Sequence, residues 1–191
     1  IASSARAYTD VTETNQLLET ILTNTYSTAD LRNRLTLLRE FLEDYFFTPH
    51  EHPNLIFLLN EFFVKKDESR DEFNALNAWG DGLYSQFTKE NLYPALDSIE
   101  KSAADLPTVT LFLPFAPTPY ETPRLGKWLR RNVDPRALME VKIDISLIGG
   151  CAVSYKGIYR DYSLKYYLLR SKVAILKVIG DYVRPGVEIA V

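Results

Sequence analysis

The apolar residues of this chain change period near Leu106, which predicts a fold that keeps its helices and its strands in separate halves. Before that point the repeats are helical. Leu17, Leu18, Ile21 and Leu22 recur at helical spacing after Asp10 and Thr12. Thr28 reads as an N-cap, and Leu31, Leu35, Leu38, Leu42 and Tyr45 follow it as one stripe. Arg32, Arg34, Arg39, Glu40 and Glu43 lie opposite, as a solvated face. Thr48-Pro49 ends this helix, and Pro53 suits the first turn of the next. "NLIFLLNEFF" is apolar on almost every side, which predicts a helix buried on two faces. Lys65 to Asp71 is a charged connector. Phe73, Leu76, Gly80, Leu83 and Phe87 form a further stripe, and Leu92, Leu96, Ile99 and Ala103 the last, with Pro94 in a first turn. Residues 1–106 therefore read as an antiparallel bundle of about five short helices.

Residues 107–191 read as a small α/β domain, so the whole chain is α+β. "PTVTLFLP" has the β-branched, apolar look of a short strand, and "APTPYETP" is a loop. "RLGKWLRRNV" is a short amphipathic helix, with Leu125, Trp128 and Leu129 on one side and Arg124, Lys127, Arg130 and Arg131 on the other. "LMEVKIDI" alternates: Met139, Val141, Ile143 and Ile145 face one way, Glu140, Lys142 and Asp144 the other. "CAVSY" is another strand, Lys156-Gly157 a tight turn, and a long final helix of about twenty residues starts near Ser163. That helix and the short one are expected to cover the sheet.

Few side chains suit catalysis. His50 and His52 are the only histidines, with Glu51 and Glu61 the nearest further ligands, and a solvated loop suits them better than a metal site. The lone Cys151 can form no intrachain disulfide and reads as packing against the sheet interior. Asp161 and Ser163 have no histidine to complete a triad and suit N-capping of the final helix. No catalytic, cofactor-binding or metal-binding residue is expected, and no cofactor. The net charge of −3 argues against a general nucleic-acid binder. No apolar run approaches the roughly 18 residues of a membrane span, so no direct membrane insertion is expected. "IASSARAY" at the start suggests what remains after removal of a targeting peptide.

The pair Gly149-Gly150 raises the question of a phosphate loop. Such a loop delivers backbone N–H groups at a helix start, but here "SLI" precedes the pair and a strand follows. Close backbone packing or a bulge is the better reading. The run "VKIDISLIGGCAVSYKGIYRDYSLKYYL" as a whole resembles the C-terminal signature of the delta subunit of bacterial F-type ATP synthases, the family of the mitochondrial oligomycin-sensitivity-conferring protein. Asp144, Leu147, Gly149, Gly150, Gly157, Asp161, Ser163 and Leu168 stand at the matching places. Ser154 and Cys151 depart from the family, which usually has a basic residue and a large aliphatic there; the chain is similar to a divergent member.

The resemblance implies a non-catalytic peripheral-stalk subunit that links the catalytic head to the stalk, so that rotation is coupled to proton flow and ATP synthesis. Its N-terminal bundle would hold amphipathic helices of the head's alpha subunits, and its C-terminal domain the b-type stalk subunit. It would sit peripherally on the matrix side of the mitochondrial inner membrane, with the cytoplasmic side of a bacterial plasma membrane as the other location. The final helix carries two apolar stripes: Leu164, Leu168, Ile175 and Ile179, then Tyr162, Tyr166, Leu169, Val173 and Leu176. The second is either further core or a groove for a partner helix. Candidate partner contacts are Leu55 and Phe62 in the bundle and Tyr166, Leu169, Val173 and Leu176 in the final helix. A different class of function, an RNA-binding or regulatory module, would use the same tyrosines with Lys165, Arg170 and Lys172.

Overall fold

A computed structural model describes residues 14–50 and 54–183. Asp10, Thr12, the opening "ARAY", Glu51, His52 and Pro53 lie outside the described residues. The chain is α+β and divides into two compact units, Ile1–Thr108 with Thr118–Glu140 and Val109–Pro117 with Val141–Val191. The sequence reading grouped 118–140 with the second half; here that segment belongs with the helices.

In the first unit a helix over residues 14–22 (α1) is followed by α2 (Thr28–Phe47), α3 (Leu55–Lys66), α4 (Arg70–Asn77), α5 (Asp81–Tyr84), α6 (Leu92–Ala104) and, later, α7 (Glu121–Asn132). Ser27, one residue ahead of the expected Thr28, caps α2, its Oγ accepting from Asp30 N at 3.0 Å. The predicted stripe of α2 is buried at Leu31, Leu35, Leu38 and Leu42. Phe41 joins them, in edge-on contact with Phe62 and Tyr84. Arg34 corrects the solvated-face reading: it is nearly enclosed, pairing with Glu72 at 2.8 Å and donating to the Asn24 carbonyl and Thr25 Oγ1. The stripe from Phe73 to Phe87 is buried as expected but is not one helix. Gly80, at φ +68°, separates α4 from α5.

Helix α3 is also corrected. It buries one face, Leu58, Leu59, Phe62 and Phe63, and leaves Ile56, Phe57 and Val64 exposed. Helix α7 is rotated from the expected orientation, with Trp128 58% exposed and Gly126 and Leu129 buried. Gly126 lies against the Tyr26 ring so closely that any Cβ would overlap it. Arg130 stacks on the same ring and donates to the carbonyls of Leu22 and Thr25 at 2.5 Å each and of Ala137 at 3.3 Å.

The sheet has the order β2-β1-β3-β4. Its strands are β1 (Thr108–Leu113), β2 (Leu138–Ile143), β3 (Gly150–Tyr155) and β4 (Ile158–Ser163). β1 with β3 and β3 with β4 are antiparallel. The expected alternation of β2 is not seen: the adjacent Leu138 and Met139 are both buried, whereas Ile143 at its end and Ile145 beyond it are exposed. β4, which the sequence reading did not assign, is joined to β3 by Lys156 and Gly157, both at positive φ. That backbone matches the right-handed twist of a hairpin.

The final helix begins where expected. It runs as α8 (Leu164–Arg170) and α9 (Lys172–Val183), with i→i−4 hydrogen bonds carried into and out of Ser171. It does not cover the sheet as a buried layer. Every residue from Leu164 to Ile179 is exposed.

Candidate functional site

The signature residues are placed by the backbone they shape. Asp144 accepts from Ser146 N at 2.9 Å and caps the single turn Ile145–Leu147. The Ser146 hydroxyl and backbone N–H hold its carboxyl below the usual range. Leu147 is buried beneath that turn. The Gly149 carbonyl accepts from Leu164 N at 2.8 Å, where the final helix starts. Gly150, at φ +74°, faces the backbone of β4, and a Cβ there would run into the Tyr162 carbonyl. Gly157 supplies the hairpin turn at φ +77°. Asp161 accepts from Ser163 N at 2.8 Å, and the buried Ser163 Oγ accepts from Tyr166 N at 3.1 Å. Together they cap the final helix, as the sequence predicts. Leu168 stands apart from the group, exposed on α8. The glycine pair leads into a strand, and the Leu164 N–H at the nearby helix start is already taken by the Gly149 carbonyl, so the pair does not form a phosphate-binding loop.

The remaining chemical candidates are engaged structurally. His50 Nε2 lies 2.9 Å from the Asp44 carbonyl, with its ring stacked on Tyr45. Cys151 is half-buried opposite Tyr162, and burial together with the Asp161 charge pushes its thiol pKa up.

What the described residues offer is apolar surface. Of the six candidate contacts, Phe62 is only 6% exposed and belongs to the hydrophobic core of the first unit. Leu55 is half-buried against that core. Ile56, Phe57 and Val64 take their place on the outside of α3, one step around the helix from the face the sequence reading chose. An open groove also runs between α2 and α6, floored by Leu31, Leu35 and Ala103 with Arg32 and Glu100 on its rim. On the final helix all four candidates are exposed, Leu169 by 64% and Val173 by 83%, with Tyr166 and Leu176 beside them.

The other stripe, Leu164, Leu168, Ile175 and Ile179, is exposed too. At about 100° per residue the centres of the two stripes lie roughly 130° apart around the helix. Lys165 and Lys172 separate them along one flank, Arg170 and Lys177 along the other. At the start of the helix, Tyr159, Tyr162, Tyr166 and Tyr167 form a shallow basin with Arg160, Arg170 and the Asp161 carboxylate. The tyrosines were legible from composition. Arg160 was not, because its place beside them depends on the unassigned β4.

Comparison with protein families and with curated proteins finds no match for this chain. Among the described residues no helix is long and apolar enough to cross a membrane.

Proposed function

We propose that this chain is a non-catalytic stator subunit of an F-type ATP synthase, similar to the delta and oligomycin-sensitivity-conferring family. The observation that carries the reading is the run from Asp144 to Leu168, which resembles the family's C-terminal signature. Its support is that Asp144, Gly150, Gly157, Asp161 and Ser163 shape the backbone and line no catalytic cleft, which suits a structural signature in a binding subunit. The N-terminal helices, as an antiparallel bundle, hold amphipathic helices of the alpha subunits; the α2–α6 groove and the outer face of α3 are apolar surfaces suited to that. The final helix holds the b-type subunit. The protein resists torque by affinity and stiffness, peripherally on an energy-transducing membrane, with the mitochondrial matrix side favoured.

The decisive experiment is affinity purification of the tagged chain from native membranes, with nuclease present, followed by mass spectrometry. Recovery of alpha and b-type subunits in stoichiometric amounts supports the reading. A chain recovered without them overturns it.

One observation favours a second reading, an RNA-binding module: the tyrosine basin with Arg160 and Arg170 offers stacking surfaces beside cations. Nuclease-sensitive recovery of RNA, with affinity falling steeply as salt rises, would select it.

A further inference from the structure

We infer that the final helix is built to be held between acidic amphipathic helical segments, with apolar contact on two separate sides and carboxylates along both flanks. The inference rests on the stator reading for the identity of the partner, and adds its chemistry.

Both stripes of the final helix are exposed. A helix that covers a sheet buries one stripe there, yet here Leu168, Ile175 and Ile179 stand in solvent as do Leu169, Val173 and Leu176. Two separate apolar rows on one helix suit a position between two neighbours, with anchors spaced i, i+3 or i+4, and i+7 for helix-to-helix packing.

The sign of the partner follows from charge. The chain as a whole carries −3. In residues 141–183, however, seven basic side chains face three acidic ones, a local balance of +4. Two of the three acids, Asp144 and Asp161, are turned onto backbone N–H groups as caps. Among the described residues Arg170, Lys172 and Lys177 form no ion pair, and Lys165 feels the Asp144 carboxylate only beyond ion-pair distance. Lys165 reaches only Ser146 Oγ, and Arg170 only the Tyr166 hydroxyl. Carboxylates at the edges of an incoming helix would pair with these rows while its apolar face meets a stripe. A basic partner would be repelled along both flanks.

Fluorescence anisotropy with the full chain tests this. The probes are two labelled helical peptides of identical leucine pattern, one flanked by glutamates and the other by lysines. A single-stranded RNA oligomer and vesicles of anionic phospholipid serve as competing ligands. The glutamate peptide is expected to bind at least tenfold more tightly than the lysine peptide. Lys172→Glu with Lys177→Glu, both at exposed positions, should invert that preference. Val173→Asp with Leu169→Asp should remove one of the two binding sides and halve the number of peptides bound, and adding Leu168→Asp and Ile175→Asp should abolish binding of either peptide. Circular dichroism and urea melts of each variant show that the fold is retained.

Equal affinity for the two peptides overturns the proposal, as does an unchanged preference in the double glutamate variant. Tighter binding to RNA or to vesicles than to the glutamate peptide overturns it as well. Dimerisation of the chain through this helix, seen in sedimentation and removed by Val173→Asp, would make a second copy the occupant. The stator reading is judged separately by recovery of the ATP synthase subunits. If those are recovered while the glutamate peptide fails, only the acidic-partner inference falls.

Discussion

Gly149 and Gly150 are neighbours with opposite tolerances. Gly150 combines a left-handed φ with a backbone carbonyl where a Cβ would sit, so Gly150→Ala is expected to cost about 2–4 kcal/mol. At Gly149 the nearest atom to a Cβ, on Leu164, is an ordinary 3.7 Å away, and Gly149→Ala should cost about 1 kcal/mol or less. Urea melts of the full chain, read by hydrogen exchange at β3 and β4, would separate the two. The preceding Ile148 is β-branched yet sits at φ +67°, exposed. Its side chain makes that backbone costly, and Ile148→Gly is expected to stabilise the second unit by about 1 kcal/mol. A variant less stable than the parent would show that the Ile148 side chain contributes more than its backbone costs. At Cys151 the raised pKa means less thiolate at neutral pH. Alkylation by iodoacetamide at pH 7.5 should therefore be slower than for an unstructured cysteine, and should accelerate on unfolding in urea.

Helix α7 shows why some elements can be read from sequence while their contacts cannot. Its amphipathic pattern and the reciprocal Thr118–Glu121 hydrogen bonds at its start are local, and the helix forms where the pattern puts it. Which residues face inward depends on Tyr26, about a hundred positions earlier in the chain. The Tyr26 ring selects the bare backbone of Gly126 and the flat guanidinium of Arg130 over the larger Trp128. Arg34 was misread for the same reason, since Glu72 and the Asn24 carbonyl are brought to it only by folding. Conversely, the α2 stripe, the Lys156-Gly157 turn and the Ser163 cap are short-range features, and all were legible. Arg130→Ala would leave three carbonyls without their donor and should cost about 2–4 kcal/mol, with Arg130→Lys recovering only part because an ammonium lacks the planar fork. Thermal melts of both variants check this, and equal stability of Lys and Ala would argue that stacking on Tyr26 dominates.

Across the whole molecule the buried residues are unevenly shared. The core cluster that runs from Leu17 to Leu138 draws on every helix from α1 to α6 except for its solvent faces. In the second unit the described buried residues are few: Val109, Leu111, Leu113, Leu147, Ala152 and Ser163. Two unfolding transitions are therefore expected, with amides of β3, β4 and α8 exchanging faster than those of α2. A partner bound on the final helix alone should raise protection in the second unit and leave α2 unchanged, since binding stabilises what it touches. Uniform exchange across both units would show that they unfold together.

The bare helix from Leu164 to Tyr182 also bears on how much of this protein a cell keeps. Newly made chains that have not met a partner display about nineteen residues of mostly apolar helix, the kind of surface that chaperones hold and proteases act on. Chains in excess of their partner would be cleared and assembled chains spared, so abundance would follow that of the binding partner without separate control of synthesis. A pulse-chase experiment should find a shorter half-life for the chain expressed alone than with its partner. Replacing Leu169, Val173 and Leu176 by serine should lengthen the half-life of the lone chain.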